Sequence, residues 1–539
     1  MAKVASRCAL ALFFGALACA APRWRAPATG SAALAARHAQ RPEAVRVRSQ
    51  TAQPARTLPP PAARPNRLGA APLPAATQRI GGRSRDAKRS ATPENLERDY
   101  PLHGLAFHVL AQVFSEPSER AVVNGYFRRG GRLRAKPAVR GKGCDTRWHA
   151  VLGGGYICAG RGFLVGKSPP QFSPLPGPPA LHDALPYPYA KTTIADTPLY
   201  VRPPTPAEER DLALQLAAAK AQATPTRPTR GGNASRSKAA HTDQRLAKQL
   251  EAKPEQNEAA PPAPMPDFVR RLMQPGYYVS LDEAQPSDAS PLLRTIRGDA
   301  LPARGQLLVR ASELHGTQID PASVGQLALV YRAGAPSFTR DAMSGALLRA
   351  APLQAFEAVY LATEVVRDRQ REYRVAQDGR LLPLDALRLV PHTPRPPFVP
   401  AGARYIAVEL SSQTLVAYDG PRAVFATLVS TGKAEHETPT GIFRIEQKHV
   451  STTMDGEVGS DEAYSIEDVP WTMYFSGSLA LHAAFWHERF GRPHSHGCVN
   501  LAPLDAHWLF DWAGPTLPAG FHGVVATREN AGTFVIITP

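Results

Sequence analysis

From residue 404 onward, short apolar runs alternate with polar punctuation in a way that predicts strands. "RYIAVELSSQTLVAYDGPRAVFATLVSTG" reads as successive strands with a turn at "YDGP", and "HETPTGIFRI", "WTMYFSGSLALHAAFW" and a closing "HGVVATREN" continue the pattern. One helix is expected after Pro503, holding Asp505 to Trp512. This last domain, 404–539, is long enough to bury its own core. Further upstream, "HGLAFHVLAQVFSEPSERAVVNGYFRRGGRLRA" (103–135) and "WHAVLGGGYICAGRGFLVG" (148–166) alternate short β-rich runs with Gly, Pro and Asn. Several short strands spaced by turns predict a small barrel or sandwich over 103–166. Apolar runs return from "FVRRLMQPGYYVSLDEA" (268–284) to about 397, with "QDGR" (377–380) as a tight hairpin turn. That stretch reads as one intermediate β-rich domain without a chemical constellation of its own.

The intervals between these runs read differently. Residues 21–100 are dominated by Pro, Ala and Arg without sustained periodicity, and read as a disordered basic linker. A second low-complexity linker covers 204–265, in which "EERDLALQLAAAKAQA" (208–223) has helical periodicity. The first twenty residues carry Lys3 and Arg7, then the apolar run Ala9–Ala18, then small residues. This is the pattern of a secretory signal peptide, with cleavage after Ala20. A rival reading makes Cys19 a lipid-carrying first residue, although Ala16 stands where a large aliphatic residue is usual. No later segment has eighteen consecutive apolar residues. The expected protein is exported to the periplasm or cell envelope, either released or membrane-anchored as a lipoprotein.

Charge and cysteine count change this picture in two places. The formal net charge is +17, but residues 21–99 hold fifteen Arg or Lys against five Asp or Glu. The excess therefore sits in a proline-rich tail, and nucleic acid is not indicated as a partner. Beyond the signal region the cysteines are Cys144, Cys158 and Cys498. Cys144 and Cys158 are close in a strand-rich stretch of an exported chain, so a disulfide between them is expected. Cys498 is left as an unpaired thiol that needs a reason.

The reason lies in "HAAFWHERFGRPHSHGCVN" (482–500). Cys498 follows His496 and Gly497, and glycine beside a nucleophile frees backbone N–H groups for an oxyanion. A thiol needs a neighbour that favours its thiolate, and His482 would be that neighbour if two strands lie side by side. A metal reading competes with this one. His494, His496 and Cys498 alternate, and on a strand they would share a side, with His487 or Glu488 completing a zinc site. "HERFG" lacks the second histidine of a zinc-peptidase motif. Taken alone, His487 and His494 read as loop residues, His507 and His522 as surface or helix residues, and Trp471, Phe485 and Trp486 as core or cleft wall.

"SHGCVN" at 495–500 with "LH" at 481–482 resembles the signature of the L,D-transpeptidases, the YkuD-type catalytic domain. "ETPTGIFRI" (437–445) and "YIAVELSSQTLVAYDG" (405–420) resemble other segments of that family, over roughly 404–527. The resemblance implies a mixed β-sandwich with little helix, so the chain as a whole is expected to be mainly β. Small barrel-like modules and disordered linkers would precede the sandwich. It implies Cys498 as acyl-accepting nucleophile and His482 as general base. Gly497 and Cys498 would supply oxyanion N–H groups, Ser495 and His496 would hold the loop and the thiolate, and Asn500 would fix the turn behind it. The implied reaction is acyl transfer at a diamino acid–D-Ala bond of peptidoglycan stem peptides, with no metal or cofactor. Only twelve residues separate His482 from Ser495, and Ala483 stands where a Gly or hydroxyl residue is common. Upstream, "AQVFSEPS", "GYFRRGGRLR" and "WHAVLGGGYIC" resemble bacterial Src-homology-3-like modules, in which Trp148 and Tyr156 would be core or groove aromatics. Two further classes stay open, a non-catalytic wall-binding protein that retains the fold and a zinc-dependent cell-wall peptidase.

Overall fold

The computed structural model describes residues 93–223, 265–282, 291–323, 325–368, 370–455 and 465–539. The signal peptide, the lipid-anchor reading of Cys19 and the tail up to 92 lie outside the described residues, as do 224–264 of the second linker. Strands dominate. Among the described residues the α-helices are Pro93–Asp99, Pro206–Ala223 and Pro503–Trp512. The second and third stand where helical periodicity and Pro503 predict them, and Pro503 fits a first-turn position because its missing N–H has no partner to lose there.

The C-terminal domain is a sandwich of two mixed sheets. One runs in the order Gly441–Arg444, Phe534–Thr538, Arg404–Glu409, Thr414–Asp419, Arg422–Ser430, with a single parallel pair between Phe534–Thr538 and Arg404–Glu409. The other runs Gly523–Val525, Gln447–Asp455, Ser465–Ser476, Leu479–Ala483, Val499–Leu501, its last two strands parallel. Val499–Leu501 also pairs with the end of Arg422–Ser430, through Val429↔Leu501 and Ser430↔Asn500, so the sheets are joined at that edge. Ile406, Val408, Leu415, Ala417, Phe425 and Val429 meet Trp471, Met473, Phe475 and Leu481 between the sheets, with Leu509 and Phe510 of the helix.

The alternate residues of the first sheet are not wet. Tyr405, Ala407, Val416, Tyr418, Ala426 and Leu428 form a second core with Leu327, Leu329, Phe356 and Val390 of an upstream module. A strand buried on both faces carries apolar residues at consecutive positions, which is why "YIAV" and "TLVAY" show so little polar alternation.

Three upstream modules surround the sandwich, and all belong to one compact unit from Lys88 to Pro539. The first packs Leu102–Ala106, Leu110–Phe114, Val123–Arg128, Arg132–Ala135, Trp148–Ala150, Tyr156–Cys158 and Phe163–Gly166 around Val113, Phe127, Ile157 and Phe163, and contains the Cys144–Cys158 disulfide. Its Val123–Arg128 strand pairs with Gly523–Val525, and Phe521 enters its core.

The second module differs from the expected boundaries. Thr197–Tyr200 pairs with Val269–Met273, so the stretch read as a linker over 204–265 is an insertion between two neighbouring strands. Tyr189–Thr192 pairs with both Tyr278–Ser280 and Gln306–Leu308, closing the module around Leu199, Met273, Val279, Leu293 and Leu301. The stretch 268–397, read as one intermediate domain, is therefore divided. Its first part completes the second module. The rest forms a seven-stranded third module running from Gln326–Val330 to Leu387–Leu389, with the "QDGR" turn where expected between Arg371–Ala376 and Leu381–Pro383.

Candidate active site

Cys498 ends a loop and opens a strand. Val499–Leu501 lies parallel to Leu479–Ala483, in the register Leu481↔Val499, His482↔Asn500 and Ala483↔Leu501. The side-by-side arrangement that the sequence required is present, and the sixteen-residue separation is spanned by the "FWHERFGRP" loop. Cys498 is the free cysteine among the described residues and is half-buried.

The loop before Cys498 is held by two hydroxyl side chains. Ser495 Oγ donates to the Cys498 carbonyl and accepts the Gly497 N–H at 3.2 Å. Thr438 Oγ1 donates to the Gly497 carbonyl at 2.8 Å and accepts the Gly432 N–H at 2.9 Å. Gly497 has φ +110°, and a Cβ there would come within 3.0 Å of Leu479 Cδ2, so the position demands glycine. One expectation changes with this geometry. Of the two N–H groups suggested by the sequence as oxyanion donors, that of Gly497 is taken up by Ser495 within the loop.

His482 is buried, and its Nδ1 lies 3.0 Å from the Ala483 carbonyl. A carbonyl only accepts, so Nδ1 carries the proton and Nε2 is the basic nitrogen. The Trp486 ring stacks on the imidazole at 5.7 Å. Burial pulls the His482 pKa down to about 4, against a smaller upward pull from the Ala483 carbonyl. Burial pushes the Cys498 thiol up, while an N–H bond from Ala480 works the other way. Burial thus favours the uncharged form of both groups, the imidazole and the thiol.

His487 does more than a loop residue would. Its Nε2 lies 2.9 Å from Asn500 Nδ2, and an amide N–H₂ only donates, so Nε2 accepts. His487 therefore fixes the side chain of the residue directly across the sheet from His482. His494 packs its ring 4.8 Å from His487, while the exposed His496 packs 4.7 Å from His436. Of the histidines in the zinc reading, His487 and His494 thus pack together while His496 packs on His436, and among the described residues no three His, Cys, Asp or Glu gather as a metal-binding group. His507 lies in the last helix as expected. His522, read as a surface or helix residue, is buried beneath Ser451 instead.

These groups open onto a cleft of about 370 Å³ lined by His482, Trp486, Ser495, Cys498 and Asn500 on the catalytic side. Lys433, His494 and His496 extend its polar wall, and Met454, Ile466 and Tyr278 its apolar one. Tyr278 has no signal in the sequence that connects it to Cys498. Thr438 has one, because it lies in the "ETPTG" segment.

Residues 403–537 match the family model described as the L,D-transpeptidase catalytic domain, YkuD. The C-terminal domain belongs to the YkuD L,D-transpeptidase family. The chain is accordingly an enzyme of the acyl-transferring transferase class. Similar solved structures include the catalytic domain of an L,D-transpeptidase from E. faecium, 22% identical, covering 25% of this chain and 97% of that one with a TM-score of 0.20. L,D-transpeptidase 1 of Mycobacterium tuberculosis is 22% identical over 25% of this chain and 62% of its own, with a TM-score of 0.20. An L,D-transpeptidase from Mycobacterium smegmatis is 18% identical over 42% of this chain and 100% of its own, with a TM-score of 0.22. No curated protein matches the chain. The YkuD match begins at 403, so the Src-homology-3-like reading of 103–166 rests on the sequence resemblance alone.

Proposed function

We propose that the protein is a peptidoglycan L,D-transpeptidase that works through a Cys498 thioester. The observation that carries this reading is the pairing of two parallel strands that bring Cys498 and His482 to one cleft, with His482 held in the tautomer whose Nε2 accepts a proton. In the first half-reaction Cys498 Sγ attacks the diamino-acid carbonyl of a tetrapeptide stem, and His482 Nε2 takes the thiol proton. The Cys498 N–H stabilises the oxyanion. Collapse breaks the bond to D-Ala, whose amine takes the proton back from His482. In the second half-reaction an acceptor amine gives a proton to His482, attacks the thioester and frees the thiol, leaving a cross-link.

The pKa pattern supports general-base removal of the thiol proton during attack rather than a preformed ion pair. Ser495, Thr438 and Gly497 shape the loop, and His487 with Asn500 holds the turn behind it. Peptidoglycan stems place the protein outside the cytoplasm, which the Cys144–Cys158 disulfide fits. No helix among the described residues is long and apolar enough to cross a membrane.

The test is to incubate the full chain with tetrapeptide muropeptides and follow Cys498 by mass spectrometry. A thioester adduct followed by a cross-linked dimer is the expected result. An adduct yielding only shortened monomer indicates water as acceptor. Absence of any adduct on folded protein sinks the enzymatic reading and favours a non-catalytic wall binder.

A further inference from the structure

We infer that the second module is part of the substrate site, with Tyr278 as a substrate-contacting residue that sets how tightly the acyl donor is held. The inference rests on the function proposed above and adds a determinant from outside the YkuD domain. Gly276 and Tyr278 line the same cleft as Cys498 and His482, although both come from the upstream module.

The placement is built rather than incidental. Tyr278 pairs in parallel with Ile466, so the module adds a neighbour to a strand that lines the cleft. Along Tyr278–Ser280 the side chains alternate, as strand geometry requires. Tyr278 packs into a core shared with the catalytic domain, joined by Tyr189, Ile466, Val469 and Phe485, with Met454 and Trp486 packed against it. Val279 points back into its own module's core. Ser280 again reaches the catalytic domain, donating to Asp468 Oδ2 at 2.5 Å. Phe485 meets the Tyr278 ring edge-on at 5.5 Å and the Tyr189 ring at 4.3 Å. Tyr278 is thus held by an aromatic of the catalytic domain that itself packs on Tyr189, and only 8% of its surface is exposed.

The cleft that results is lined by the apolar groups of Tyr278, Met454, Ile466 and Trp486 and by the polar groups of Lys433, His494, Ser495 and Asn500. Such a mixed lining suits a peptide that offers methyl and methylene groups together with amides and carboxylates. A wall fixed by another module's core cannot be swung aside cheaply, so its contribution goes into binding rather than chemistry.

The experiment compares the wild-type full chain with Tyr278→Ala, Tyr278→Leu and Tyr278→Phe, each checked for an unchanged melting profile. Tyr278→Leu keeps an apolar side chain in the shared core if the alanine variant does not fold. Two readouts are taken: kcat and KM for acylation by a tetrapeptide stem, and the rates at which Cys498 is alkylated by iodoacetamide and by a bulky fluorescent maleimide. Loss of the ring is expected to raise KM by roughly tenfold with kcat little changed. It should also raise the maleimide-to-iodoacetamide rate ratio at least about threefold, while Tyr278→Phe stays near wild type. An unchanged KM together with an unchanged ratio overturns the inference, and so does a rise in kcat/KM, which would make Tyr278 an obstruction. If wild-type Cys498 is alkylated but never acylated by stem peptides, the proposed function fails, and the alkylation ratio alone decides whether Tyr278 walls the cleft.

Discussion

Two clusters of buried ionisable groups lie within reach of the same strand, Ser465–Ser476, and they behave differently. Ile466 faces the cleft with Cys498 and His482. Two residues on, Asp468 sits at the junction of three modules. Its carboxylate accepts from Arg128 of the first module at 2.5 Å, from Ser280 of the second, and from Ser451 of its own domain at 3.2 Å. Its carbonyl accepts from Tyr189. Nearby His522 donates from Nε2 to the Ser451 carbonyl at 3.0 Å. Burial depresses His482 and His449 to about 4, and burial together with Arg128 takes His522 to about 3. A perturbed pKa therefore does not distinguish the active site from the joint. What distinguishes them is that the Asp468 carboxylate is paired inside the protein with Arg128, Ser280 and Ser451, whereas His482 and Cys498 line an open cleft.

The strongest way to break that comparison is at Cys498. Cys498→Ala should abolish the acyl-enzyme altogether, read as the missing mass shift on the Cys498 peptide. His482→Ala should slow acylation by about 10²–10⁴-fold, as loss of a general base does, while His522→Gln should leave the acylation rate within about twofold. Equal losses in the two histidine variants would erase the distinction drawn here.

At the joint the expected effects are on stability. Asp468→Ala leaves Arg128 buried without its counter-charge, and should destabilise the protein by about 3–5 kcal/mol in urea unfolding. Opening Cys144–Cys158 by substitution to serine should cost about 3 kcal/mol, with the first module melting earlier.

The pH dependence sharpens the contrast further. His449, His482, His487 and His522 all have folded pKa values below the ordinary histidine value, between about 3 and about 4. Unfolding lets them take up protons, so the stability they allow is present above about pH 6.5 and is lost as pH falls toward 4. For Asp468, burial pushes the carboxyl up but Arg128, Arg297 and Ser280 more than reverse it. Its share of stability is present above about pH 4 and disappears in stronger acid. Urea melts at pH 7.5 and 5 should show the histidine-linked loss. The acylation rate should hold down to about pH 5, because neutral His482 persists, and rise in alkali as the Cys498 thiol ionises.

Much of the site was legible in the sequence because its signals are local. "SHGCVN" with an upstream "LH" named Cys498 and His482, and glycine at 497 matches a backbone at φ +110°. The commitment of the Gly497 N–H to Ser495 was not legible, nor was the bond from the Asn500 amide to His487, since each depends on how a folded loop turns its donors.

The sequence by itself determined the strand-rich character, the helix after Pro503 and the "QDGR" hairpin, and it singled out Cys498 and His482 as the proposed reactive pair, because periodicity, turn chemistry and motif spacing act over a few residues. Only the tertiary structure decided that Thr197–Tyr200 joins Val269–Met273 across an insertion, and that the third module covers the outer face of the first sheet. It also decided that Tyr278 stands in the cleft of another domain. A run of apolar residues records that a face must be covered. What covers it depends on chain segments hundreds of residues away, and their pairing is fixed only when the cores close together.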